Sequence, residues 1–75
     1  MRIEDILSSD PEIMSGAVVF RGTRVPVDAF FENVAGGMSV EEFLEDFPTV
    51  ERDQVERLLE FIAQDTKRFF PKAAA

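Results

Sequence analysis

The chain has 75 residues, no cysteine, no histidine, eight phenylalanines and a formal charge of −7. That length leaves room for one domain, and a domain so small buries only about 60% of the surface its unfolded chain exposes. Disulfides and the usual zinc sites are excluded as staples, so oligomerisation or a docked partner is the expected support.

No run approaches the roughly 18 consecutive apolar residues of a membrane span. The start mixes Ile3, Ile6 and Leu7 with Glu4 and Asp5, which is not a basic stretch followed by an apolar one. A cytoplasmic protein with no membrane partner is expected.

Residues 1–16 read as an irregular flap. Asp10-Pro11 has the form of a cap followed by proline at a first helical position, giving one short turn over Pro11 to Met14. Ile3, Ile6, Leu7, Ile13 and Met14 are expected to lie over the core. After Gly16, Val18-Val19-Phe20 is a β-forming run that leads into Arg21-Gly22-Thr23-Arg24-Val25-Pro26. A two-residue Arg21-Gly22 turn would pair Phe20 with Thr23 and Val18 with Val25, with Gly22 at positive φ. A β-hairpin is thus expected over residues 17–26.

Pro26 holds Val25 extended and opens a helix. Val27, Phe30, Phe31 and Val34 form an i, i+3, i+4, i+7 stripe, Asp28 sits in the first turn, and Gly36-Gly37 ends the run. This predicts a helix over 27–35. Ser39 and Glu42 then form a Ser-x-x-Glu capping box, and Met38 with Phe43 occupies the staple positions. Val40, Phe43, Leu44 and Phe47 line that second helix, which Pro48 stops. A third helix is expected to start near Thr49 as N-cap, with a core face of Val55, Leu58, Leu59, Ile62 and Ala63. Lys67 and Arg68 suit its carboxyl end and Pro71 terminates it. The fold class is therefore mainly α: three helices over residues 27–70 behind a short N-terminal β-hairpin, in one domain of residues 1–75 with a frayed tail at 71–75. Two short helices followed by a longer one match the trihelical core of homeodomain-like helix-turn-helix proteins.

The charge is unevenly spread. Between Met38 and Asp65 nine acids stand against Arg52 and Arg57, and the sign reverses in Lys67, Arg68 and Lys72. Such a run is either a solvated helix face or an acidic surface offered to a basic partner. Catalysis is not expected. The common general base and the thiol nucleophile are missing, and paired acids such as Glu41 and Glu42 fall on open helix faces; no cofactor or metal is expected. For DNA contact, Thr49, Arg52, Gln54 and Arg57 would be presented at the start of the third helix, and Arg21 at the turn tip, although Glu51, Asp53 and Glu56 among them would repel phosphate. Arg24 is expected to pair with Asp46 or Glu45. For protein contact, Phe69 and Phe70 are adjacent on a helix and cannot share one stripe, so they, with Glu56 and Glu60, form the candidate partner site. The alternative is that Phe69 continues the core stripe while Phe70 packs on the flap.

Asp10-Pro11-Glu12-Ile13-Met14-Ser15-Gly16, then Val19-Phe20-Arg21-Gly22-Thr23-Arg24-Val25-Pro26-Val27, and finally Gly37 with Val40-Glu41-Glu42-Phe43-Leu44-Glu45-Asp46-Phe47-Pro48-Thr49-Val50 resemble the bacterial domain-of-unknown-function family 433. The resemblance runs from about residue 2 to residue 63, with Gly22, Thr23, Arg24 and Pro26 as its structural motif. Where the family often has Thr-Pro, this chain has Ala17-Val18, which restores a backbone donor and removes a proline edge protector. The resemblance implies a homeodomain-like helix-turn-helix fold with an N-terminal β-hairpin. It further implies an antitoxin-like role: a homodimer that binds and neutralises a PIN-like ribonuclease toxin, with operator DNA bound by the complex. A stand-alone DNA-binding regulator is the alternative.

Overall fold

The computed structural model describes residues 2–69 and contains three helices and a two-stranded antiparallel sheet. The strands are β1 (Leu7–Ser9) and β2 (Val18–Phe20), and the helices are α1 (Val27–Ala35), α2 (Val40–Asp46) and α3 (Arg52–Phe69). Single 3-10 turns at Ile3–Asp5 and Met14–Gly16 bracket the approach to each strand. Mainly α architecture with an N-terminal hairpin is what the apolar spacing and turn residues had indicated.

The partner of β2 differs from the expected one. β2 pairs with β1, in the register Leu7 to Phe20, Ser8 to Val19 and Ser9 to Val18. The turn itself forms as expected: Thr23 N donates to the Phe20 carbonyl at 3.0 Å and Gly22 has φ +80°. The outgoing chain nevertheless cannot build a ladder. Thr23 Oγ1 accepts from Val25 N at 3.0 Å and donates to Phe20 O at 2.7 Å, and Pro26 has no N–H to give. What remains is Phe20 N to Val25 O at 3.0 Å and an isolated bridge from Val19 to Pro26. The free side of β2 therefore takes the N-terminal segment. Asp10 punctuates the return, its carboxylate accepting from Glu12 N at 2.8 Å and its carbonyl from Ile13 N at 2.9 Å.

This pairing lays the N-terminal flap onto the core. Ile6 is buried, and Ile3 and Leu7 pack against the buried cluster of Phe20, Phe30, Phe43, Val50, Val55 and Leu58. Met14 departs from its expected place. It sits at φ 50° in a left-handed turn with Ser15 and is 52% exposed. Three phenylalanines make the centre: the Phe20, Phe30 and Phe43 rings lie 5.0–6.3 Å apart, with Phe30 edge-on to both others' neighbourhood at interplanar angles of 87° and 83°. Such contacts add about 0.5–1.5 kcal/mol each beyond the area buried.

α1 and α2 match their stripes and caps. Ser39 Oγ accepts from Glu42 N at 3.1 Å, and Glu42 Oε1 accepts from Ser39 N at 2.9 Å, closing the capping box. Phe30 and Phe43 are the buried members; Phe31 and Val34 keep about two fifths of their surface in solvent.

α3 begins later than expected. Thr49 is part of a turn after Pro48, not an N-cap, and Val50 N donates to Phe47 O at 3.0 Å. That turn drives Val50 into the core, so the helix starts only at Arg52. Its core face is also shorter than the expected one. Val55 and Leu58 are buried, and Phe61 packs against the cluster, but Leu59, Ile62 and Ala63 are exposed. With 18 residues against nine and seven in α1 and α2, α3 spans about 27 Å at 1.5 Å per residue and outruns the helices it packs against.

Candidate functional site

The long helix and the acidic α2–α3 surface form the candidate interaction site. Arg52 Nη2 donates to both carboxylate oxygens of Glu41 at 2.5 Å, tying α3 to α2, and Nη1 lies 3.8 Å from Glu56. The Glu41 hydrogen bond raises the Arg52 pKa above its ordinary value. Arg57 Nε donates to Asp53 at 2.9 Å one turn back, and Arg68 Nη1 to Asp65 at 3.4 Å. The arginines of this surface are thus matched inside the chain. Glu45, Asp46, Glu51 and Glu60 are exposed and form no ion pair among the described residues.

The five residues proposed for DNA contact do not converge on one open face. Gln54 is drawn inward: its Nε2 donates to Arg21 O at 3.0 Å and reaches Ile6 O at 3.5 Å, while its Oε1 accepts from Glu51 N at 3.0 Å. Arg21 turns back on the flap, with Nε donating to Glu4 O at 2.8 Å and its backbone N to Ile6 O at 2.8 Å. Arg52 and Arg57 carry the carboxylate partners already described. Thr49 is exposed and lines a shallow groove of about 580 Å³ together with Ser8, Ile13, Thr23, Arg24 and Val25. Arg24 lies there and, among the described residues, makes no ion pair with Asp46 or Glu45. The proposed fork is absent because the turn carries Arg24 to the Thr49 groove.

Of the partner candidates, Glu56 and Glu60 are exposed on α3, and Glu56 is shared with Arg52. Phe69 is the last helical residue, but its side chain and all of Phe70 lie outside the described residues. The apolar surface that the sequence reading missed is Leu59, 41% exposed, and Ile62, 38% exposed. The sign available beforehand was the length of the third apolar run relative to the first two. For Gln54 the sign was its three-residue distance from Glu51, the spacing at which a side chain reaches back to a helix-start N–H. Among the described residues no group of three or more acids is placed to hold a metal ion, and no helix is long and apolar enough to cross a membrane.

The model of the protein-of-unknown-function family DUF433 matches residues 3–62. The chain belongs to that family. The DUF433 match covers the flap, the Gly22–Pro26 motif, both short helices and α3 as far as Ile62, and ends before Lys67, Phe69 and Phe70. A curated relative, the uncharacterised protein y4eO of Sinorhizobium fredii (strain NBRC 101917 / NGR234), is 43% identical over 51 residues. That stretch is 68% of this chain and 23% of the relative, so this chain spans under a quarter of the longer protein. No solved structure matches the chain.

Proposed function

We propose that this DUF433 chain is an antitoxin-like binding module that neutralises a PIN-like ribonuclease and acts as a homodimer in the cytoplasm. The observation that carries the reading is the state of the α2–α3 surface. Its arginines are internally paired while Glu45, Asp46, Glu51 and Glu60 face solvent without partners among the described residues. A ribonuclease attracts RNA through a basic cleft, and an acidic helical surface is drawn to the same field. Glu60 is assigned to that contact, with Phe69 and Phe70 as its apolar anchors; Glu56, shared with Arg52, is a lesser contributor. The module does no chemistry of its own in this reading and needs no cofactor.

A stand-alone DNA-binding regulator has less support. Nonspecific and much specific affinity comes from phosphate contacts by free cations, and Arg52, Arg57 and Gln54 are already engaged. Operator binding is therefore assigned to the complex, where the nuclease can contribute basic groups.

The test is co-expression with the product of the neighbouring reading frame, followed by light scattering and an RNA-cleavage assay. A stable complex with suppressed cleavage is expected. Phe69→Ala with Phe70→Ala should weaken it while helicity by circular dichroism is retained. Separate elution with undiminished cleavage refutes the antitoxin reading, and a steeply salt-dependent DNA complex of the chain alone would favour the regulator.

A further inference from the structure

We propose that two copies of this chain associate through the outer face of α3, antiparallel, with Leu59 of each copy packed on Ile62 of the other. This rests on the dimeric part of the functional reading and specifies its surface and orientation; it is independent of the nuclease. Leu59, Ile62 and Thr66 recur at spacings of three and four and so share one stripe of the helix. The stripe borders the core face: Val55, four residues before Leu59 and seven before Ile62, is buried on its line, Leu58 and Phe61 lie on its inner side, and Leu59, Ala63 and Thr66 lie towards solvent. Leu59 and Ile62 are 41% and 38% exposed although each is large and apolar. Thr66 adds little polarity there, because its hydroxyl donates to Ile62 O at 2.9 Å within the helix. Ala63 is exposed beside Ile62, and its small side chain lets a second helix approach.

The charges select both the occupant and its direction. α3 carries Asp53, Glu56 and Glu60 in its first half and Lys67 and Arg68 in its last turn. A parallel pairing would set the acidic halves side by side, with Glu51 and Glu56 of the two copies at flanking positions, which is repulsive. Antiparallel pairing about an axis between Glu60 and Phe61 brings Lys67 of one copy alongside Glu56 of the other, on the same flank of the stripe. Lys67 is exposed and has no ion pair among the described residues. The helix dipoles also oppose in this arrangement. One copy thus supplies both the apolar complement and the charge complement of the other. A contact of about three helical turns lies at the small end of stable interfaces, so the dimer should dissociate at micromolar rather than nanomolar concentration.

The experiment is sedimentation equilibrium of the full chain over a wide concentration range, with circular dichroism on every variant. Wild type is expected to show a monomer–dimer equilibrium. Ile62→Lys should raise the dissociation constant by at least about tenfold, equivalent to 1.4 kcal/mol, with helicity unchanged. Lys67→Glu should weaken the dimer by roughly two- to fivefold, the range of an exposed pair, and Lys67→Glu combined with Glu56→Lys should restore it. Thr66→Cys reports direction: antiparallel copies hold the two thiols apart, and parallel copies bring them together. A wild-type chain that stays monomeric at high concentration overturns the proposal, as does a dimer indifferent to Ile62→Lys. Rapid disulfide formation by Thr66→Cys overturns the antiparallel direction. A monomer that still binds the nuclease would refute this interface and leave the antitoxin reading standing; a dimer that ignores the nuclease would do the reverse.

Discussion

Replacing Gln54 by leucine should destabilise the protein well beyond what a half-exposed helix residue ordinarily costs. The side chain ties the start of α3 to a turn far away in sequence: its amide N–H donates to Arg21 O at 3.0 Å, and its oxygen accepts from Glu51 N, three residues back, at 3.0 Å. Leucine keeps the bulk and the helix propensity, so the loss is chiefly those two hydrogen bonds. At about 1 kcal/mol net each, the cost is about 2 kcal/mol; the 3.5 Å approach to Ile6 O is too long to add much. For a domain of 60–100 residues each kilocalorie moves the melting temperature by about 4–8 °C, so a fall of about 8–16 °C is expected. Urea denaturation followed by circular dichroism at 222 nm is the assay, with a lower midpoint and an unchanged slope as the expected signature. Gln54→Glu separates the two bonds. It keeps the acceptor for Glu51 N but sets a carboxylate against the Arg21 carbonyl, so it should recover little of the loss. A leucine variant within about 0.5 kcal/mol of wild type, the range of an inconsequential surface change, would refute the assignment of Gln54 as the tie between turn, flap and helix.

Two further perturbations test the local structure. Gly22→Ala should cost about 1–2 kcal/mol from the positive φ alone, since nothing lies within 4 Å of the added carbon; Gly22→Asn should cost less, and equal melting temperatures for all three would remove the turn assignment. The capping box predicts a pH response. Hydrogen bonding to the Ser39 backbone N–H and then its hydroxyl holds the Glu42 carboxyl below its ordinary 4.5, so its contribution is complete above about that pH and is lost as pH falls through the lower folded value. The urea midpoint should therefore drop more between pH 7 and pH 3 in wild type than in Glu42→Gln, which keeps an acceptor but does not titrate; equal drops would show that the box carries no pH-dependent stability.

Elements whose signals are local were legible in the order of residues alone. α1 follows from Pro26, the 27–34 stripe and the glycine pair, and α2 from a capping box that needs only Ser39 and Glu42. The positive φ of Gly22 belongs to the same class, because a four-residue turn is set by its own residues. The remaining features depend on segments distant in sequence meeting one another. Thr23 consumed the Val25 donor and Pro26 had none, so the outgoing chain adds only a bridge to one edge of β2, and the other edge is paired by β1. Val50 had to reach the aromatic core, so α3 began at Arg52 and not at Thr49. Gln54 reads as an exposed polar residue until the flap folds back and puts the Arg21 carbonyl within its reach. Leu59 and Ile62 carry the same periodic signal as Val55 and Leu58, and periodicity cannot tell a stripe facing the core from one that extends past it. Leu59 precedes Phe61, which packs on the core, and Ile62 follows it, yet both lie at the edge of that face and stay in solvent.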